Sequence, residues 1–261
     1  MLDALSFDLT SVVEEQPDPL LFATVSGAHL YGFPSRDSDI DLRGVHLLPA
    51  ADLLGLRDPE ETRSRMWFRD GTEMDLVTHD VRKFVRLMLN RNGYVLEQLL
   101  SPLVAHTTPA HQELVSLAPG VLTSHHAHHY QGFAKTQWRL FGRTAELKPL
   151  LYTFRALLTG IHLMRSAQVQ AHLPTLLDEV PEAPGYLAGL IEAKVEAEHG
   201  AAVGLEAGRV ERDFEALQGV LAAAQERSGL PEHASGFDAL DEFVVRHRAP
   251  GALAAETARP V

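Results

Sequence analysis

The sequence predicts an α+β fold, with a small mixed sheet and helices over residues 1–115 and an all-helical region over 116–247. Three observations predict it. A short apolar run, Leu20–Val25, stops at Ser26-Gly27 and is followed by a second strand pattern in Ile40, Leu42 and Val45. Arg65–Arg69, Asp70-Gly71 and Thr72–Val77 read as a β-hairpin around a strong turn dipeptide. Beyond about residue 105 the apolar spacing is helical almost throughout, and Pro109 and Pro119-Gly120 punctuate the change.

Taken in order, residues 1–16 form a helix or a loose arm ended by Pro17 and Pro19. Leu20–Val25 is a buried strand, and residues 28–38, with Gly32, Pro34, Ser35, Asp37 and Ser38, have the composition of a loop. In the strand that follows, Ile40 and Leu42 share one face while Asp39, Asp41 and Arg43 share the other. Residues 50–61 read as a surface connection with one helical turn. In the second arm of the hairpin, Met74 and Leu76 face one way and Glu73, Asp75 and Val77 the other. Val81, Phe84, Val85 and Met88 begin a helix that Asn92-Gly93 interrupts. Phe154, Leu157, Leu158, Ile161 and Met164 form an apolar helical stripe, and residues 185–200 and 206–228 read as long acidic helices. The Ala- and Pro-rich stretch from Arg248 to Val261 is expected to be a flexible tail.

Composition narrows the classes. The chain has 261 residues, 45% of them hydrophobic, enough for a sizeable core, and no cysteine, so disulfides, thiolate zinc sites and a cysteine nucleophile are excluded. An acidic N-terminus without a signal-peptide pattern, and no apolar run near the roughly 20 residues that span a bilayer, lead to the expectation of a soluble, cytoplasmic protein. The net charge of -12 argues against coating nucleic acid by bulk electrostatics but leaves room for a basic cleft. The charge is unevenly placed: residues 131–165 hold Lys135, Arg139, Arg143, Lys148, Arg155 and Arg165 against Glu146 alone.

The chemistry starts from "VSGAHLYGFPSRDSDIDLRGV", residues 25–45. Two aspartates on one face of a strand repel each other, and Asp75 on another strand would join them if the strands are neighbours. Divalent magnesium or manganese, hard cations with oxygen ligands, would relieve that repulsion. Two such ions about 4 Å apart can activate a hydroxyl and stabilise a leaving pyrophosphate in an in-line displacement. The Ser26-Gly27 turn offers backbone N–H groups suited to a triphosphate. Together these parts describe nucleotidyl transfer. Arg43, on the same face, would meet a phosphate or pair with Asp41 or Asp75. Lys135 and Arg139, with Lys148 and Arg155 beyond them, would hold the triphosphate or an RNA backbone, or else form a solvated basic face. Tyr31 and Phe33 would stack on a base or wedge the loop onto the domain. His125 and His129, at i and i+4, could ligate zinc, but no third ligand follows at telling spacing.

The run from Ser26-Gly27 through His29-Leu30-Tyr31-Gly32 to Asp37-Ser38-Asp39-Ile40-Asp41-Leu42-Arg43-Gly44-Val45 resembles the polymerase-β-type nucleotidyltransferases, and more narrowly their RNA-repair-associated RlaP type. The likeness continues through Glu73-Met-Asp75, Lys83-Phe84 and Asn92–Pro102, and more weakly through Tyr130–Lys135, Lys148 and Phe154-Arg155. It implies that Asp39 and Asp41 hold two Mg²⁺ or Mn²⁺ ions, and that Asp75 holds the catalytic one and helps deprotonate the acceptor. It implies an NTP substrate, ATP among the candidates, and an RNA 3′ end as acceptor. An RNA ligase or another repair protein would be the partner. One departure stands out: the family's Gly-Ser turn is Gly27-Ala28 here, which leaves phosphate to the backbone amides, with Ser26 or His29 as substitutes for the missing hydroxyl. Two rivals follow. The acidic surface suits transfer to a small cationic molecule such as an aminoglycoside, or to a protein side chain. Ala28 suits a nucleotide-binding, antitoxin-like partner without catalysis.

Overall fold

β1 (Leu20–Val25) is buried along its whole length, as an unbroken apolar run requires, and lies inside a five-stranded sheet. The computed structural model describes residues 9–54, 56, 58–196 and 206–248. The strand order is β3 (Thr62–Arg69), β4 (Thr72–Asp80), β2 (Ile40–His46), β1 and β5 (Val104–Thr107). β2 and β4 run parallel, and every other neighbouring pair is antiparallel. Asp70 and Gly71 both take positive φ, 50° and 83°, which matches the twist of the β3–β4 hairpin.

Two short elements depart from expectation. α2 (Gly27–Tyr31), closed by Gly32 at φ 86°, takes in Gly27 and the first four residues of the anticipated 28–38 loop. β5 has no counterpart in the sequence pattern, because its four residues carry no alternation; their pairing to β1 is what makes them a strand. Of residues 1–16, read as a helix or a loose arm, Thr10–Glu14 form the helix α1 and residues 1–8 lie outside the described residues; the turn in the 50–61 connection is α3 (Ala50–Leu54).

α4 (Val81–Leu89) begins at Asp80, whose carboxylate caps the Arg82 N–H, accepts from the Leu48 N–H and pairs with Arg248. α5 (Gly93–Leu99) begins at Asn92, whose side chain caps Tyr94 N, so the Asn-Gly interruption is a helix start. After α6 (Pro109–Leu117) the helical region is built on α8 (Leu147–Ser166), which packs against α7 (His126–Thr144), α9 (Leu173–Glu179), α10 (Leu187–Glu196) and α11 (Ala207–Glu226). The stripe Phe154, Leu157, Leu158, Ile161 and Met164 is buried, but so are Arg155, Thr159 and Gly160 between its members, because α8 is surrounded on all sides. Trp138 stacks on Phe214 at 4.4 Å and joins α7 to α11. α12 (Phe237–Arg248) ends on Arg248, and residues 249–261, expected as a tail, lie outside the described residues. No helix among the described residues is long and apolar enough to cross a membrane.

His126 shows how this core depends on pH. It is fully buried at the start of α7 with Nε2 unpartnered, and burial pushes its pKa from 6.5 down to about 4. The unfolded chain therefore binds a proton that the native chain refuses. Stability is fully present above pH 6.5 and falls as the pH drops toward 4. His126→Gln is expected to flatten that part of a plot of Tm against pH, measured by thermal unfolding between pH 4 and 8.

Candidate active site

The core face of the sheet fixes where the carboxylates go. Ile40, Leu42, Met74 and Leu76 are all buried at 2% exposure or less, so the residues alternating with them point to the opposite face. Asp41 then stands directly across from Asp75 in the parallel β2–β4 register, and Asp39, just before β2, is near enough for its charge to act on Asp41. The expected convergence of the two strands is what the sheet builds.

Arg43 settles the choice left open for it by pairing with both carboxylates. Its Nη2 donates to Asp41 Oδ1 at 2.5 Å and Asp75 Oδ2 at 2.7 Å. Nη1 donates to the carbonyls of Asp75 and Leu42, and Nε to the Tyr94 hydroxyl at 3.1 Å. The guanidinium is thus clamped on every side, with the residue 7% exposed. Burial nevertheless pushes the Asp41 carboxyl up to about 6; Arg43 opposes the shift, Asp39 and Asp75 add to it, and Lys148 opposes it. A carboxylate held this far from water beside two others is a site that favours added positive charge.

Gly27 makes the arrangement possible. Its φ is +60°, and a Cβ built on it would lie 1.8 Å from Asp41 Oδ2. The start of α2 therefore sits against the Asp41 carboxylate, and the Ser26 N–H donates to the Asp41 carbonyl at 2.8 Å. Ser26 Oγ and His29 Nε2 are buried without a partner. Burial lowers the His29 pKa, and the nearby Asp39 works against that. His29 also lines a cavity of about 670 Å³ with Ser35, Glu97 and His172, whose walls exclude the three aspartates. Ala28 is 3% exposed and packs in the core, so the hydroxyl missing at that position is missing from the interior side of α2.

The basic candidates separate into three groups. Lys148, in the first turn of α8, is close enough for its charge to act on Asp41, and Tyr152, one turn on, has its phenol raised by burial with Asp41 and Asp39 contributing. Lys135 and Arg139 are exposed on α7, where Arg139 bonds Thr136 and the Lys135 carbonyl; neither they nor Arg143 form an ion pair with a described residue. Arg155 is elsewhere. It is 2% exposed, donates to Glu97 at 2.9 Å and lies 3.8 Å over the Tyr31 ring, so its guanidinium is enclosed and not presented to a ligand. Tyr31 and Phe33 are buried around Tyr152, which is the wedge arrangement and leaves neither free to stack on a base. Tyr94, Glu97 and Tyr152 are the participants that the sequence did not single out. The Asn92 cap places Tyr94 in the first turn of α5, but nothing local shows that this turn faces Arg43.

Among the described residues, no group of three His, Asp or Glu side chains forms a ready-made metal site, at the aspartates or at His125 and His129. The donor chemistry at the aspartates does fit Mg²⁺ or Mn²⁺: carboxylate oxygens only, crowded, with Asp41 reluctant to hold its charge alone. Arg43 supplies the counter-charge between Asp41 and Asp75 in this structure.

Three comparisons bear on this geometry. An uncharacterised protein of Methanocaldococcus jannaschii is 30% identical over 157 residues, 58% of this chain and 63% of that protein, so the match spans less than two thirds of the relative. A crystal structure of a nucleotidyltransferase-like protein from Exiguobacterium sibiricum 255-15 aligns with 97% of this chain and 79% of its own at 12% identity; its TM-score of 0.32 lends the assignment no weight. The model of the RlaP family, the RNA repair pathway DNA polymerase beta family, matches residues 1–246, and the chain belongs to that family.

Proposed function

We propose that the protein transfers a nucleoside monophosphate from an NTP to the 3′-hydroxyl of an RNA end, releasing pyrophosphate. The observation that carries this reading is the in-register pair Asp41–Asp75, with Asp39 just before β2 and near enough for its charge to act on Asp41. Membership of an RNA repair family supports the choice of acceptor. Asp39, Asp41 and Asp75 would hold Mg²⁺ or Mn²⁺, which when bound supplies Lewis-acid charge for the transferring phosphate. The acceptor oxygen attacks the α-phosphorus as the bond to pyrophosphate breaks, and its proton passes to Asp75. Arg43 orients Asp41 and Asp75, and Lys148 offers positive charge to the phosphates. Ser26 and His29, with free buried polar atoms beside Gly27, are the groups available to a phosphate oxygen. Lys135 and Arg139 offer an exposed basic face to the RNA backbone.

The test combines purified protein, Mg²⁺ or Mn²⁺, each labelled NTP in turn and a short RNA with a free 3′-OH. Extension is expected with the native chain and a loss of 10²–10³-fold or more with Asp41→Asn or Asp75→Asn, roughly the effect of removing one charge-stabilising group. Metal-dependent NTP binding without extension would move the acceptor to a small molecule or a protein. The second reading, a nucleotide-binding partner without catalysis, is favoured by Arg43 already bridging both carboxylates. It would be established by NTP binding that survives while no acceptor is modified. No NTP binding overturns both.

A further inference from the structure

The strand next to Asp75 carries an exposed apolar pair on the reactive face of the sheet. β3 is the edge strand, and its antiparallel register sets Met66 opposite Asp75 and Phe68 opposite Glu73. Directly opposed side chains share a face and stand about 5 Å apart. Met66 is 65% and Phe68 73% exposed, whereas Asp75 itself is recessed. An edge strand usually carries charge on its open side, so a bare thioether and phenyl ring beside a candidate catalytic carboxylate call for an occupant.

The arginines of β3 narrow the identity of that occupant. Arg63, Arg65 and Arg69 alternate with Met66 and Phe68 and so take the other face, where Arg63 pairs with Asp18 and Glu60, and Arg65 and Arg69 pair with Glu15. Arg65 also lies 4.5 Å over the Trp67 ring on that side. Directly opposite Met66 and Phe68 stand the carboxylates of Asp75 and Glu73, and of the cations on that face Arg43 is held by Asp41 and Asp75 while Lys83 bonds Thr62. The face offers an uncharged planar group an aromatic ring and a polarisable sulfur. The part of an RNA acceptor that must lie nearest Asp75 is its terminal nucleoside, and the flat, uncharged part of that nucleoside is the base.

We infer that Met66 and Phe68 form the platform on which the last base of the acceptor stacks, setting its 3′-hydroxyl toward Asp75. The inference rests on the proposed transfer to an RNA end. Stacking on Phe68 is tolerant of base identity, because every base has a π-face, so the platform selects a nucleoside end over a simple alcohol rather than one base over another.

The experiment uses the full chain and a short single-stranded RNA ending in 2-aminopurine, whose fluorescence is quenched by stacking. Wild type is expected to bind and quench it, with about 10-fold weaker binding and lost quenching in Phe68→Ala, an intermediate loss in Met66→Ala and recovery in Phe68→Trp. Metal-dependent NTP binding and Tm are measured beside it and are expected to be unchanged in all three, since both side chains are exposed. Equal binding and quenching in wild type and Phe68→Ala overturns the platform. So does an RNA end that wild type fails to bind while it still binds NTP, an outcome that leaves transfer to another acceptor standing. Loss of NTP binding in wild type sinks the parent reading itself. A concentration-dependent dimer abolished by Phe68→Ala would assign the face to a second copy of the chain and also overturns the proposal.

Discussion

Gly27→Ala is expected to abolish transfer more completely than its size suggests, with at least a 100-fold fall in rate and a drop of several degrees in Tm. Two independent penalties meet at this residue. The φ of +60° costs a non-glycine residue about 1–2 kcal/mol. The added Cβ would lie 1.8 Å from Asp41 Oδ2, so the carboxylate must retreat. A retreat of roughly 1 Å is on the scale that costs about 10²-fold in rate when reacting groups are misplaced. Asp41 cannot retreat alone, because its other oxygen holds Arg43, which in turn holds Asp75 and Tyr94. Gly71→Ala separates the two penalties. Gly71 has φ +83° with nothing near its missing Cβ, so the variant is expected to lose about 1–2 kcal/mol of stability and keep its transfer rate. Both are read from thermal unfolding and steady-state rates in parallel. Equal rate losses in the two variants would mean that backbone strain, and not the displacement of Asp41, is responsible.

Gly27 also marks where sequence reasoning was strong. The period of two along a strand made the faces of Asp41 and Asp75 legible without any partner strand, and the structure keeps Ile40, Leu42, Met74 and Leu76 on the opposite side. That β2 and β4 would be parallel neighbours, with Asp41 against Asp75, depends on long-range pairing that no local pattern encodes. The choice facing Arg43 was open for the same reason. Two carboxylates and the Tyr94 hydroxyl, 51 residues away in sequence, decide it together. α2 and β5 were hidden by their shortness, five and four residues, where neither period has room to show. Arg155 misled for a different reason. An amphipathic stripe implies a wet opposite face, and a residue just off the stripe is read as exposed. α8 has no wet face over its middle turns, so the residue beside Phe154 is as buried as Phe154 itself.

That burial makes Glu97→Gln the largest expected change in stability away from the aspartates. Glu97 and Arg155 have side chains 1% and 3% exposed and bond at 2.9 Å. Glu97 also accepts from the Tyr31 hydroxyl at 3.0 Å, and Arg155 lies over the Tyr31 ring. Glutamine keeps the shape and an acceptor for Tyr31 but removes the charge, leaving a guanidinium without a counter-ion in the interior. Breaking a buried pair in this way costs about 3–5 kcal/mol. For a chain of this size that corresponds to a fall in Tm of roughly 10 °C. Replacing both partners removes the stranded charge, so Glu97→Gln/Arg155→Met is expected to regain most of the loss. The pair has a second consequence, because Tyr31 closes the helix that begins at Gly27. A variant whose Tyr31 loses its anchor lets α2 move against Asp41, and the double variant, though stable, is expected to bind NTP more weakly than wild type. Full recovery of both Tm and NTP affinity in the double variant would confine the pair to stability. Recovery of Tm alone would show that α8 reaches the aspartates through Arg155, Glu97 and Tyr31, which is how a buried arginine can act on a site it never touches.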